Sequence, residues 1–93
     1  MEDAWKKEMH KLFASTKTPA EAKELLMAIL TPKEYDEVAS RWQIVQMLLE
    51  GNPQREIRDQ LGVSIATVTR GAREVQHGSG TFQKYYHRLH PSK

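Results

Sequence analysis

Between Gln54 and Arg73 the chain reads QREIRDQLGVSIATVTRGAR, and the side chains there are of the types that bind a nucleic-acid backbone and read base edges. Arg55 and Arg58 stand three apart, so a helix would present both on one face. Either can reach phosphates, and Arg55 can meet a guanine edge with two parallel hydrogen bonds. Gln54, Thr67 and Thr69 suit phosphate oxygens, and Arg73 adds a further cation. Ile65-Ala66-Thr67 would meet base edges at the start of a second helix. These leading residues are small and largely apolar, so readout there leans on water, thymine methyl groups and DNA shape. Catalytic chemistry is not expected. There is no paired nucleophile and base and no glycine-rich phosphate loop. The four histidines are scattered, with only His87 and His90 at helical spacing, so no metal site is expected either.

These residues need a scaffold of a particular shape. Ile57 and Leu61 face inward from a first short helix, Val63 fills a turn, and Ile65, Val68 and Ala72 come from a second. Gly62 stands where the turn calls for positive φ, which glycine adopts without a Cβ penalty. Ser64 can cap the second helix, with Thr67 at the third helical position. Arg58 occupies a position where many such motifs carry a small residue, which places it on the outward edge. The pattern predicts a helix-turn-helix over residues 53–75 with its second helix in the DNA major groove. The competing reading is a helix hairpin packed into a protein interface.

The remainder of the chain reads as further helices. Residues 3–15 place Trp5, Met9, Leu12 and Phe13 on one stripe. Thr18-Pro19-Ala20-Glu21 and Thr31-Pro32-Lys33-Glu34 are two helix starts of one type, each with a threonine cap, proline at the first helical position and glutamate at the capping-box position. The second start opens the longest helix, reaching Glu50, with Tyr35, Val38, Trp42, Val45 and Leu49 as its core-facing stripe. Ile44 and Leu48 widen that stripe and Met47 lies beyond it, which implies neighbours on more than one side. Gly51 closes this helix, and Asn52-Pro53 caps and opens the next. His77-Gly78-Ser79-Gly80 is a flexible break before a last helix bearing Phe82, Tyr85, Tyr86 and Leu89. His90 to Lys93 reads as a disordered end. The expected fold is all-α, about six helices in a single domain over residues 1–93, with no internal repeat.

At 93 residues, 39% apolar and 28% charged, the chain is globular yet near the lower limit for a self-sufficient core, so a second subunit would help. The net charge of +2 is unevenly placed. Residues 1–52 carry seven Lys/Arg against nine Asp/Glu, and residues 53–93 carry seven against three, or +4. The basic half contains the helix-turn-helix. There is no cysteine, no apolar run near the roughly 20 residues of a membrane span, and no signal-peptide pattern, so a cytoplasmic location is expected.

Leu30-Thr31-Pro32, Ser40-Arg41 through Leu49, Gln54-Arg55-Glu56 and above all Ile65-Ala66-Thr67-Val68-Thr69-Arg70-Gly71 resemble the tryptophan repressor family. That resemblance implies an intertwined all-helical homodimer, L-tryptophan as corepressor, and double-stranded operator DNA in the promoters of tryptophan biosynthesis genes as the target. The family is itself a standing example of water-mediated base readout. It further implies an indole held between the guanidinium groups of Arg41 and Arg70, a contact of about 0.5–2 kcal/mol. Arg70 and Thr31 would meet the ligand's carboxylate. The carbonyls near Ala28, Ile29 and Leu30, at the negative end of a helix, would meet its ammonium. Val45 would wall the pocket, and Gly71, which costs about 1 kcal/mol inside a helix, would admit a close approach.

Each of these residues has a plainer reading: Arg41 as a solvated partner of Glu37, Arg70 as a phosphate contact, Gly71 as a helix end. Their joint occurrence favours a ligand site. The chain departs from the best-known members at Glu74, where they carry a small hydroxyl residue near the ligand's amino group. A carboxylate there would pair with the ammonium or crowd the site. The turn at residues 51–53 is about one residue shorter than theirs, and residues 77–82 resemble a second branch of the superfamily. The expected function is an L-tryptophan-activated, operator-binding repressor. One alternative is a regulator of the same fold with another ligand or none. The other is a helical interaction module that docks a protein through Trp5, Phe82, Tyr85 and Tyr86.

Overall fold

The computed structural model describes residues 2–91, so Ser92 and Lys93 of the expected disordered end lie outside the described residues. The chain is all-α: α1 (Glu2–Ala14), α2 (Pro19–Ile29), α3 (Pro32–Leu49), α4 (Gln54–Leu61), α5 (Ile65–His77) and α6 (Thr81–Leu89), with no strand among the described residues. No helix among them is long and apolar enough to cross a membrane, and no histidine–carboxylate cluster there could hold a metal ion. The chain divides into two compact units, residues 1–36 and residues 37–93, with α3 running from one into the other.

In the first unit the helix starts are set by local chemistry. Thr18 Oγ1 accepts from the Glu21 N–H at 3.1 Å, while the Glu21 carboxylate accepts from the Lys17 N–H at 3.0 Å. Thr31 and Glu34 form a reciprocal box, Glu34 N–H to Thr31 Oγ1 at 3.1 Å and Thr31 N–H to Glu34 Oε1 at 2.9 Å. Each pair satisfies amide donors that a helix start otherwise leaves open. Neither α1 nor α2 has a fully buried side chain, and Trp5 is 61% exposed.

The second unit holds the core. Ile44 and Met47 of α3, Ile57 of α4 and Val68 of α5 pack together, with Leu48, Leu61 and Val63 against them. Ile44, Ile57 and Val68 are almost wholly enclosed, and burying such side chains contributes about 1.5–3 kcal/mol each. Two sequence expectations need correction. Val38 is 42% exposed, and the buried residues of α3 are Ile44, Val45 and Met47, because α4 and α5 pack on the arc that carries Ile44 and Met47. Asn52 does not cap α4. Its backbone N–H and its Nδ2 both donate to the Met47 carbonyl at 3.0 Å, which closes the end of α3 instead, and Pro53 takes the cap position of α4 with no side-chain bond.

α6 is tied to the other helices of its unit at three points. Gln83 Nε2 donates to the Val75 carbonyl at 2.8 Å, the Tyr86 hydroxyl donates to Glu50 Oε2 at 3.3 Å, and the Phe82 and Trp42 rings lie 6.2 Å apart. His90, expected in a disordered end, is ordered. Its N–H donates to the Tyr86 carbonyl at 2.9 Å, and its ring stacks on the Tyr86 ring with centroids 4.3 Å apart.

Candidate functional site

The helix-turn-helix forms from α4, the turn at Gly62-Val63-Ser64, and α5. Gly62 ends α4 in the left-handed region at φ 68°, donating its N–H to the Arg58 carbonyl at 2.9 Å. Ser64 Oγ accepts from the Thr67 N–H at 3.1 Å and caps α5. Val68 and Ala72 are buried as expected, whereas Ile65, expected to help fill the core, is 42% exposed. The first helical residue precedes the arc that meets α4, so Ile65 stands on the outer face, where it was also placed as a base-edge contact.

The candidate DNA contacts gather on this motif with unequal freedom. Arg55, Ala66 and Arg73 are exposed, as are Thr67 and Thr69. Thr69 Oγ1 donates to Gln54 Oε1 at 3.1 Å, which clamps the start of α4 to α5 and orients one hydroxyl and one amide group together. The Thr67 hydroxyl lies 2.8 Å from Ser64 Oγ. Arg58 is half-buried, and its Nε donates to Asp59 Oδ1 at 2.9 Å, the only ion pair among the described residues. A partly exposed pair of neighbouring residues is a weak tether, which leaves the guanidinium able to change partners.

Beside α5 lies an open cleft of about 730 Å³, within the roughly 300–1,000 Å³ of small-molecule sites. Two helical stripes wall it. Glu37, Ser40, Arg41, Ile44 and Val45 come from α3, and Ser64, Thr67, Arg70, Gly71 and Glu74 from the cap and body of α5. Val63 and Phe82 complete it. The structure thus brings together five of the residues expected at a ligand site, Arg41, Val45, Arg70, Gly71 and Glu74. Ala28, Leu30 and Thr31 belong to the first unit, where Leu30 lines a separate, smaller cleft with Met27, Pro32, Tyr35 and Asp36.

The charges of the larger cleft define its chemistry. Two guanidiniums and two carboxylates line it, and none of the four is ion-paired with another within 4.0 Å among the described residues. Glu37 and Arg41, which i,i+4 spacing would allow to pair, do not do so. A cleft with both signs of charge over an aliphatic and aromatic lining suits a small zwitterion with an apolar side chain. Gly71 has a packing role here. A Cβ built on it would lie 3.1 Å from Ile44 Cγ2 and 3.5 Å from Leu48 Cδ1, so its absence lets α3 and α5 approach.

Glu37, Ser40, Ile44, Ser64 and Thr67 were not anticipated as cleft residues. A signal for four of them existed, because Glu37 and Ile44 lie four before and three after Arg41, and Thr67 and Ser64 lie three and six before Arg70, whereas Ser40 directly precedes Arg41 and had no such signal. Phe82 had no comparable signal, since it reaches the cleft through the turn at residues 78–80.

Residues 4–90 match the family described as Trp repressor protein. Over 50 residues the chain is 54% identical to a Trp operon repressor homolog of Actinobacillus succinogenes, covering 53% of this chain and 50% of that relative. It is 42% identical over 65 residues to a Trp operon repressor homolog of Haemophilus influenzae, covering 69% and 64% of the two chains. A third, from Vibrio vulnificus, is 47% identical over 53 residues, covering 56% and 52%. The aligned part of the chain thus spans between half and just under two thirds of the length of these relatives. No solved structure matches it.

Proposed function

The chain belongs to the Trp repressor protein family, and from that premise we propose that it is an L-tryptophan-activated, sequence-specific DNA-binding repressor. It acts as a cytoplasmic homodimer on operators of tryptophan biosynthesis genes. The observation that carries the reading is that one short helix, α5, supplies residues to both surfaces. Arg70, Gly71 and Glu74 line the cleft, Ile65, Ala66 and Arg73 stand exposed on the helix-turn-helix, and Thr67 belongs to both.

The residues fit the ligand by kind. Arg41 and Arg70 offer planar cations to an indole face and donors to a carboxylate, and Glu37 and Glu74 offer acceptors to an ammonium. Aliphatic Ile44, Val45 and Val63 accept the ring. Ligand lodged between α3 and α5 would hold α5 at the angle that enters the major groove, and the second copy would present its own α5 one helical turn of DNA away. Such a ligand shifts the equilibrium only by its differential affinity for the DNA-competent state, and operator DNA must tighten ligand binding by the same factor.

The deciding measurement is operator affinity with and without saturating L-tryptophan, together with calorimetry of the protein against L-tryptophan, indole and tryptamine. Tighter operator binding with L-tryptophan, lost in Arg41→Ala and Arg70→Ala, is the expected outcome. An operator affinity indifferent to L-tryptophan would sink the corepressor role. The two carboxylates in the cleft favour one second reading, a regulator of the same fold whose effector is an aromatic amine, and tryptamine binding better than L-tryptophan would select it.

A further inference from the structure

The charged residues of the cleft recognise the carboxylate and ammonium that every amino acid shares, and their guanidinium planes accept any flat aromatic face, so they cannot tell one ring size from another. That discrimination falls to the apolar lining. Ile44, Val45 and Val63 are aliphatic, and Phe82 is the one aromatic side chain among the described lining residues. It arrives on a different helix, in the first turn of α6, and is held in place by its neighbours. Its ring packs against Trp42 at 6.2 Å and a 40° tilt, and Trp42 directly follows Arg41 in α3. The next residue, Gln83, is bonded to the Val75 carbonyl of α5, and Tyr86, one turn on, is buried and bonded to Glu50. The half-buried ring thus packs on α3 while its own helix is bonded to α5 and to Glu50, which makes it a fixed wall and not a mobile cover.

We propose that Phe82 is a specificity-determining residue of this cleft, the aromatic stop that sets how large a ring the ligand carries. The inference rests on the reading that the cleft takes an aromatic amino acid. It assigns to α6, outside the helix-turn-helix, the choice of effector. An aromatic stop offers a face or an edge to the ligand's ring, and its rigidity makes one added methyl group costly.

The test is calorimetric titration of the full chain with L-tryptophan and its 4-, 5-, 6- and 7-methyl derivatives, for wild type, Phe82→Ala, Phe82→Leu and Phe82→Trp. Wild type should discriminate against at least one methylated ligand by about tenfold. Phe82→Ala should erase most of that preference. Phe82→Leu, which keeps an apolar contact for Trp42, should do so in part if the alanine variant fails to fold. Phe82→Trp should change selectivity in the opposite direction and weaken L-tryptophan itself. Equal wild-type affinities for all five ligands, or variants that weaken every ligand by one common factor, would overturn the assignment while leaving the corepressor reading intact. A wild type that binds none of the five removes both.

Discussion

Substituting Gly71 by alanine sets two opposed effects against each other at one position. Inside α5, alanine is favoured over glycine by about 1 kcal/mol, since it loses less backbone freedom on folding. Against this, the new Cβ would sit 3.1 Å from Ile44 Cγ2, closer than ordinary carbon contacts, with Leu48 Cδ1 at 3.5 Å. Ile44 is 1% exposed and packs among Met47, Ile57 and Val68, so it has little room to withdraw. Overpacking of this kind costs about 1–3 kcal/mol. The expected net effect is a destabilisation of about 0–2 kcal/mol, read as a lowered urea midpoint at fixed protein concentration. Ile44→Val alone should cost about 0.5–1.5 kcal/mol, and in the double variant the shorter side chain can shift away from the new methyl group. The double variant should therefore lose less than the sum of the singles, by about 0.5 kcal/mol or more. A Gly71→Ala protein whose midpoint rises by the full propensity gain would refute the packing argument. Additive single and double variants would do the same.

Three further outcomes are expected. Ile57→Ala, at a fully enclosed position, should destabilise by about 2–5 kcal/mol, a large share of a small domain's total, and a loss under about 1 kcal/mol would contradict the core assignment. Ser64→Ala removes the acceptor for the Thr67 N–H and should cost about 1 kcal/mol, with amide exchange accelerating first at Thr67. Burial, and then the charge and hydrogen bond of Glu50, hold the Tyr86 hydroxyl above its usual 10.0. The folded state therefore keeps this proton after the unfolded chain begins to lose it. The associated stability is intact below pH 10.0 and declines as pH rises through the raised value, so wild type should lose more stability than Tyr86→Phe in melts at increasing alkaline pH.

What was legible in advance follows from how local the physics is. The starts at Thr18, Thr31 and Ser64 were readable because a cap is a bond between residues three apart. The left-handed turn at Gly62 was readable for the same reason. The buried arc of α3 was not. Apolar side chains make up half of that helix, and only the docking of α4 and α5 selects Ile44 and Met47 over Val38. Asn52 misled because asparagine beside a proline usually begins a helix, whereas here its amide completes the one before. The arginines of the cleft were visible through family likeness. Phe82 was not, since its arrival beside Trp42 depends on the path of the chain through residues 78–80.

α1 and α2 enclose no side chain of their own, and this makes the number of molecules present part of the physics. Helices of 13 and 11 residues are marginal in water when they rest on capping and propensity alone. As part of the proposed homodimer, these helices can gain buried surface that a lone chain does not provide. Dilution would then act on the first unit as a denaturant does, and the number of competent dimers would rise more steeply than the amount synthesised. Copy number would thus be a second input to the proposed switch, read alongside the concentration of the proposed effector.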